Sequence, residues 1–152
     1  MIFMKGNYCF RKSTLNDIDL IFKLKELGLK WYIEIIYGWD DEVQRRKTEE
    51  HLKQYLDDIR IIRVDNKDVG VTAFHKNEDY YCIGLTVIHP DYQNMGIASS
   101  ILSEYIECAK RDNKRIIIKT YKYNPAKRLY ERLGFKVYNE DDTHVYMEIK
   151  CA

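Results

Sequence analysis

Several features that define common classes of protein are scarce in this sequence of 152 residues. The formal net charge is only +1, so there is no basic excess to neutralise the phosphates of nucleic acid, and we expect no nucleic-acid partner. No apolar run reaches the ~18 residues that a membrane-spanning helix needs. Residues 1–6 turn polar too early for a secretory signal peptide. We therefore expect a cytoplasmic protein with no membrane partner.

Residues with redox or metal-binding chemistry are also sparse. The four cysteines are Cys9, Cys82, Cys108 and Cys151. They form no Cys-x-x-Cys pair, so the expected role is that of buried thiols acting as small hydrophobic groups. No histidine has a partner at metal-ligand spacing, and we expect no metal site. Since the chain contains no repeat, linker or low-complexity segment, residues 1–152 are expected to form a single domain.

The most informative stretch of the chain covers residues 89–100. An apolar run over residues 83–88 predicts a buried strand, which Pro90 ends because it has no N–H to donate to a ladder. Apolar residues at helical spacing follow from Ile97 onwards. The residues that open this predicted helix are small, namely Gly96, Ala98, Ser99 and Ser100. The unpartnered N–H groups of a helix N-terminus could then meet an anion such as a phosphate.

Two common phosphate-binding motifs do not fit this stretch. It has no Gly-Lys-Ser/Thr, which the Walker loop requires, and it lacks the three glycines of the dinucleotide fingerprint. The pattern is instead Gln-x-x-Gly-x-Ala, starting at Gln93. Taken alone, it fits a phosphate-binding turn and an ordinary strand–turn–helix with a small-residue packing site equally well.

The rest of the chain predicts a mixed α+β fold in the order β-α-α-β-β-β-α-β-α-β-β. The predicted strands are residues 8–12, 59–64, 69–75, 80–88, 115–120, 135–138 and 144–150, with turns at residues 65–68 and 139–142. Thr14 and Asp40 are the expected caps of the first two helices, and Gly28 is expected to interrupt or end the first. A third helix covers residues 96–111, so the strands on either side of it should be parallel. Asn124 and Pro125 are expected to open the fourth helix, with Pro125 at its first helical position, and Gly134 to end it.

A second motif gives the pattern its family resemblance. Residues 124–135 read Asn-Pro-Ala-Lys-Arg-Leu-Tyr-Glu-Arg-Leu-Gly-Phe. This resembles the second signature of the GNAT family of acyl-CoA-dependent N-acyltransferases, Asn-x-x-Ala/Arg-x-x-Leu-Tyr-x-x-Leu-Gly-Phe. The Gln93 motif resembles the family's pyrophosphate loop, and a helix and a strand separate the two as in the family. Gly38-Trp39-Asp40 also resembles an element of a bacterial subgroup. The resemblance implies the GNAT fold, with about seven strands and four helices.

The resemblance implies acetyl-CoA as cosubstrate and assigns residues to its binding. The implied cofactor-binding residues are Val87, Ile88, Gln93, Asn94, Met95, Gly96, Ile97, Ala98, Ser99, Asn124 and Lys127. The turn would hold the pyrophosphate on N–H donors, and the strand end at Val87 and Ile88 would bind the extended pantetheine arm by main-chain hydrogen bonds.

The resemblance also implies direct attack of an amine on the thioester, with Tyr130 as the general acid that protonates the departing sulfur. An alternative role for Tyr130 is packing, because it lies on the apolar face of its predicted helix. The general base stays open, since the strand before His89 has no carboxylate, whereas many family members carry a Glu there. A water relayed to Glu34 or to His144, or an amine that arrives neutral, would each serve.

The acceptor is expected to be a primary amine, on a small molecule or a peptide. The candidate acceptor-binding residues are Tyr32, Glu34, Trp39 and His144. A carboxylate among aromatic rings suits a cationic amine. Two alternatives are an acyl-CoA-binding sensor or regulatory domain without catalysis, and an interaction module whose aromatic stretch binds a protein. A homodimer would follow the tendency of the family.

Overall fold

The computed structural model describes residues 7–151, which contain seven strands and four helices. The strands are β1 (Cys9–Lys12), β2 (Ile59–Val64), β3 (Lys67–Lys76), β4 (Tyr80–Ile88), β5 (Arg115–Tyr121), β6 (Lys136–Glu140) and β7 (His144–Ile149). The helices are α1 (Ile18–Tyr37), α2 (Asp41–Gln54), α3 (Ile97–Arg111) and α4 (Lys127–Arg132). This order confirms the predicted mixed α+β fold. Residues 1–6, on which the expectation about a signal peptide rests, lie outside the described residues.

The strands form one mixed sheet in the order β1-β2-β3-β4-β5-β7-β6. β4 and β5 pair in parallel, with residues 80–83 opposite residues 115–118, as the helix that connects them predicts. The other registered pairs, β1–β2, β2–β3, β5–β7 and β6–β7, are antiparallel. The β2–β3 turn is tighter than predicted. Asp65 and Asn66 both adopt positive φ, at 50° and 66°, so a two-residue hairpin turn leaves β3 free to begin at Lys67.

The chain divides into two compact units. One contains the chain up to Ala73 together with Leu85–Ala98, and the other contains Phe74–Gly84 together with the chain from Ser99 onwards. The first unit has a core of buried residues from α1, α2 and strands β2 to β4, namely Ile21, Leu24, Leu52, Ile59, Ile61, Val71, Ala73 and Val87. In the second unit Phe74 stacks on Tyr105 at 4.2 Å between ring centroids, and Tyr81 packs edge-on against Phe74. A single domain over residues 1–152 stays a prediction.

Helix α1 corrects the role predicted for Gly28. The helix does not end there but continues through the aromatic residues to Tyr37, and Gly38, with φ of 82°, ends it. A Cβ on Gly28 would lie 2.6 Å from Cγ1 of Val87 on β4. Gly28 is therefore a packing residue that lets the helix backbone approach the strand. The sequence has a glycine at this position because of that contact and not because the helix ends there.

Other boundaries differ from the predicted ones by one or two residues. Helix α4 begins at Lys127, because Asn124 and Pro125 form a separate turn before it, so Pro125 is not the first helical residue. Strand β6 begins at Lys136 rather than at Phe135, which is buried. Asp40 caps α2 as predicted, because its side chain accepts a hydrogen bond from the N–H of Val43. Thr14 and Asp17 form the expected capping box, but it caps a 3₁₀ turn, Leu15–Asp17, that precedes α1.

Because Gly28 contacts Val87, the effect on stability of a substitution at Gly28 should depend on the side chain at position 87. We expect Gly28→Ala to destabilise the protein by about 1–3 kcal/mol, because overpacking outweighs the better helix propensity of alanine. In a Val87→Ala background, where Cγ1 is absent, the same change should be neutral or stabilising by up to about 1 kcal/mol. Urea unfolding of the four proteins, followed by circular dichroism, measures both values. An equal loss of stability in both backgrounds would contradict the packing role.

Candidate functional site

The turn that follows β4 leaves its backbone accessible. After the 3₁₀ turn Pro90–Tyr92, Asn94 and Gly96 adopt positive φ values of 62° and 81°, and α3 begins at Ile97. Residues 93–96 are exposed. Apart from its two chain neighbours, no described residue has an atom within 4 Å of the position that a Cβ on Gly96 would occupy. A ligand could therefore approach the main chain here closely.

The N–H groups of this turn have few partners of their own. No described residue accepts a hydrogen bond from the amide of Asn94, Met95 or Gly96. The first turn of α3, which contains Ala98 and Ser99, adds N–H groups that have no acceptor within the helix. The positive end of the helix dipole lies at the same place. The turn is thus suited to an anion with several oxygen acceptors.

Hydrogen bonds to the end of β4 hold this turn in place. The side-chain amide of Gln93 donates to the carbonyl of Ile88 at 2.9 Å. The N–H of His89 donates to the carbonyl of Val69 on β3 at 2.7 Å, and the His89 ring accepts from the N–H of Asp91 at 3.1 Å. The side chain of Gln93 therefore has a structural partner, and its predicted contact with a ligand stays a prediction.

Val87 and Ile88 are buried at the end of β4. A Cβ on Gly70 of β3 would lie 2.7 Å from the carbonyl oxygen of Val87 and 3.1 Å from Cδ1 of Ile88. Only glycine at position 70 permits this spacing. Together with Gly28, which meets the side chain of Val87, it fixes the end of β4 from two directions.

In the second unit, Tyr130 lies on α4 and is almost completely buried, with 7% of its surface exposed. Its ring packs edge-on against Phe135 at 6.4 Å between centroids. Burial raises the pKa of the phenol to about 12, so the hydroxyl is protonated at neutral pH. No described residue forms a hydrogen bond with this hydroxyl. The packing role is thus observed, and the hydroxyl retains a proton that it could donate.

Asn124 organises the turn before α4. Its side-chain oxygen accepts from the N–H of Ala126 at 2.9 Å, and its amide nitrogen donates to the hydroxyl of Thr120 on β5 at 2.8 Å. One amide hydrogen remains for another acceptor. Lys127, the first residue of α4, is half-buried.

His144 begins β7 and lies opposite Tyr121 at the end of β5. The two rings are 4.3 Å apart between centroids. Burial, and to a lesser degree the nearby Lys119, lower the pKa of His144, while Asp141 opposes that shift. The imidazole is therefore neutral at neutral pH and could accept a proton.

The other three predicted acceptor residues lie in or just after α1. Tyr32 is buried, whereas the carboxylate of Glu34 is exposed and lies 3.8 Å from the ammonium of Lys30. The indole N–H of Trp39 donates to Asp41 at 2.8 Å, and Lys30 lies 6.0 Å from the Trp39 ring. The cation next to the Trp39 ring is thus one of the protein's own side chains, which sequence spacing alone does not reveal.

The sequence pattern does not single out Asp141 and Thr143, although both contact His144. Oδ1 of Asp141 accepts hydrogen bonds from the N–H groups of Thr143 and His144 at 2.9 and 2.7 Å. The signal that could identify them is the spacing Asp-x-Thr-His, because an aspartate at the start of a turn commonly caps the N–H groups two and three residues later.

Residues 7–151 contain no group of three or more His, Cys, Asp and Glu side chains arranged to hold a metal ion. Within the same range, no helix is both long and apolar enough to cross a membrane.

Comparison with known proteins gives the chain a family. A family model described as an acetyltransferase (GNAT) domain matches residues 56–137, just over half of the chain. This match includes β2 to β5, the Gln93 turn and α4.

Solved structures share the fold at low sequence identity. The chain superposes with a TM-score of 0.78 on a PaiA N-acetyltransferase from Thermoplasma acidophilum in complex with coenzyme A, at 20% identity, covering 94% of this chain and 98% of that one. A GNAT-family acetyltransferase from Bacillus anthracis gives a TM-score of 0.68 at 22% identity, with 99% and 98% covered. For an acetyltransferase from Thermus thermophilus the values are 0.71 and 18%, with 98% and 99% covered.

The open surroundings of Gly96 predict that substitutions there are limited by backbone conformation and not by crowding. We expect Gly96→Ala to cost about 1–2 kcal/mol, because alanine disfavours a φ of 81°. Gly96→Asn should cost less although asparagine is larger, since asparagine tolerates left-handed backbone. Thermal and urea unfolding give both values. A larger loss for asparagine than for alanine would indicate crowding and contradict this account.

Proposed function

Because this chain belongs to the GNAT acetyltransferase family, we propose that it transfers the acetyl group of acetyl-CoA to a primary amine by direct attack of the amine on the thioester. The observation that carries the proposal is the exposed turn at residues 94–96, whose amides have no acceptor in the described chain. Such a turn at the start of a helix suits the pyrophosphate of coenzyme A.

The geometry of the turn fits this ligand in two ways. Gly96 presents no side chain, and the space next to its Cα is open, so phosphate oxygens can approach the backbone closely at this residue. Ser99 adds a short hydroxyl in the first turn of α3. The one acidic side chain of the turn, Asp91, has 82% of its side chain exposed to solvent, which weakens its repulsion of an anion.

The end of β4 is proposed to bind the pantetheine arm through its main chain. The carbonyl of Ile88 already accepts the amide of Gln93, and a carbonyl oxygen has a second lone pair for another donor. Asn124 keeps one amide hydrogen for the arm, and Lys127 provides a cation for a phosphate.

Tyr130 is proposed as the general acid. The phenol is protonated at neutral pH, so its O–H can donate to the departing sulfur. Burial raises its pKa to about 12, above the ordinary thiol value of about 8.5, so this shift makes the phenol a weaker acid and does not itself favour the role. The free hydroxyl supports this role, because a proton already committed to a partner in the protein would transfer less readily.

The acceptor is proposed to be cationic before it reacts. Glu34 provides an exposed carboxylate and the half-buried Trp39 provides aromatic surface in the same segment, whereas Tyr32 is buried. Since Lys30 pairs weakly with Glu34 at 3.8 Å, an acceptor ammonium would compete with it. A small-molecule or peptide amine, a homodimer and a cytoplasmic location stay predictions.

One observation favours a second candidate, an acyl-CoA-binding sensor or regulatory domain without catalysis. Strand β4 contains no carboxylate over Tyr80–Ile88, so it provides no base at the strand where many family members carry a glutamate. Both candidate functions require the acetyl-CoA site, so binding of acetyl-CoA tests that site. Only the acetyltransferase forms an acetylated product, so product formation distinguishes the two functions.

A carboxylate placed at the start of α3 should block the cosubstrate while leaving the fold intact. We expect about 1 mM acetyl-CoA to raise the thermal midpoint of the unchanged protein by several degrees. Ser99→Glu should abolish this shift by repelling the pyrophosphate, yet slightly stabilise the free protein because a carboxylate is favourable at a helix N-terminus. Ser103→Glu, one turn further along the same helix, is the matched control and should keep most of the shift. Equal shifts for all three proteins would refute the site.

Removal of the Tyr130 hydroxyl should slow turnover without loss of the cosubstrate. We expect Tyr130→Phe to reduce kcat about tenfold or more, because assistance to the departing thiolate is lost, while acetyl-CoA binding holds. The exposed Tyr138 supplies the control, and Tyr138→Phe should leave both values unchanged. Thiol release with a panel of amines measures kcat, and thermal shift measures binding. An unaltered kcat in Tyr130→Phe would remove this residue from the chemistry.

A further inference from the structure

His144 has one ring nitrogen engaged and one free. Nδ1 lies 2.7 Å from the hydroxyl oxygen of Thr143, whereas no described residue forms a hydrogen bond with Nε2. The imidazole side chain is 22% exposed. An exogenous group could therefore reach Nε2, and the state of Nδ1 is set by the contact with Thr143.

The contacts of the Thr143 hydroxyl include Oδ1 of Asp141 and Nδ1 of His144, and both of these atoms are acceptors when His144 carries its hydrogen on Nε2. The hydroxyl oxygen lies 3.2 Å from Oδ1 of Asp141 and 2.7 Å from Nδ1 of His144. The hydroxyl has one hydrogen, and a carboxylate only accepts. If that hydrogen pointed to His144, two bare oxygens of Thr143 and Asp141 would face each other. The arrangement without repulsion has Nδ1–H donating to Thr143 and Thr143 donating to Asp141.

We propose that Asp141, Thr143 and His144 form a hydrogen-bond relay that fixes the Nδ1–H tautomer of His144 and makes its Nε2 the general base of the reaction. This inference rests on the proposed acetyl transfer and names the base that β4 does not provide. His144 is the catalytic residue, because Nε2 touches the acceptor amine. Thr143 and Asp141 are positioning residues that act through it.

The charges around the relay are consistent with its direction. The N–H groups of His144 and Thr143 and the hydroxyl of Tyr146 hold the pKa of Asp141 well below its usual range, so Asp141 remains an anion that accepts from Thr143. Burial and Lys119 on β5 lower the pKa of His144. The groups that face the ring are Lys119 and Tyr121 from β5 and Asp141 and Thr143 from its own turn. A lowered pKa means that activity rises with pH through a value below about 6.5 and is then constant.

The proton balance closes with the groups named. Nε2 of His144 takes one proton from the acceptor ammonium, which leaves a neutral amine with a lone pair. That lone pair forms the C–N bond with the acetyl carbon, and the C–S bond breaks with its electron pair on sulfur. Tyr130 gives its proton to that sulfur and regains one from the acylated nitrogen. His144 releases its proton to solvent, so each turnover yields an amide, a thiol and one proton.

Capping of the turn explains part of this cluster but not all of it. The hydrogen bonds from the backbone N–H groups of Thr143 and His144 to Asp141 need no hydroxyl at position 143, and any residue there except proline could donate the first. They do not account for a hydroxyl placed within hydrogen-bond distance of both the carboxylate and Nδ1. The hydroxyl of Thr143 is therefore the group that separates a relay from an ordinary turn.

The tautomer can be measured without any substrate. Nitrogen-15 NMR of the histidine rings at pH 7.5 should show His144, assigned by its loss in His144→Gln, as the Nδ1–H tautomer. His89 is the internal control, because its Nδ1 accepts from the N–H of Asp91 and it should be the Nε2–H tautomer. In Thr143→Val we expect His144 to lose its preference while His89 is unchanged. An Nε2–H tautomer for His144 in the unchanged protein would overturn the relay.

Kinetics then test the role of the base. His144→Gln should reduce kcat/KM about 100-fold and abolish the acidic limb of the pH profile, because no group replaces Nε2. Thr143→Val should reduce kcat about 10-fold with the KM for acetyl-CoA unchanged, and Thr143→Ser, which keeps the hydroxyl, should restore it. If the unchanged protein acetylates no amine, the proposed function fails. If it is active but Thr143→Val and Thr143→Ser behave alike, the relay fails.

Discussion

The close packing of main chain around Val87 is the constraint on which the first unit depends. The side chain of Val87 leaves no room for a Cβ at position 28 of α1, and its carbonyl leaves none at position 70 of β3. Helix and strand therefore approach β4 more closely than side chains normally allow. This fixes the end of β4, and the hydrogen bonds from His89 to Val69 and from Gln93 to Ile88 then fix the turn that follows. The packing around Val87 thus helps to position the exposed amides of residues 94–96.

In the second unit, the environment of Tyr130 and of His144 determines their protonation states. Burial on α4 raises the pKa of Tyr130, while burial and Lys119 lower the pKa of His144. Both side chains are therefore neutral at neutral pH, because burial disfavours the charged form of each. Asp141 contacts His144 directly through the backbone N–H of His144, and its shortest hydrogen-bond route to the imidazole ring passes through the hydroxyl of Thr143.

Local patterns were enough to predict most of the fold. Interactions between residues near in sequence explain the apolar runs of β2, β4 and β5 and the caps Thr14 and Asp40. The parallel pairing of β4 and β5 follows from the handedness of the crossover through α3. Two predictions were wrong for different reasons. Gly28 was predicted to interrupt or end α1, but it lacks a side chain because it contacts Val87, which lies far along the chain. Pro125 was predicted to be the first helical residue, but Asn124 forms a separate local turn with the residues that follow it.

By itself the sequence determined the order of the elements, the family and the residue types of the turn at Gly96, because these depend on spacing, and spacing is read along the chain. Only the tertiary structure decided which polar groups were already paired. The side-chain amide of Gln93 donates to the carbonyl of Ile88, and the indole N–H of Trp39 donates to Asp41. The hydroxyl of Tyr130 has no hydrogen-bond partner among residues 7–151. The tertiary structure also placed the hydroxyl of Thr143 within reach of both Asp141 and His144. A hydrogen bond depends on distances of a few tenths of an ångström and on direction, and the sequence specifies neither until the chain has packed.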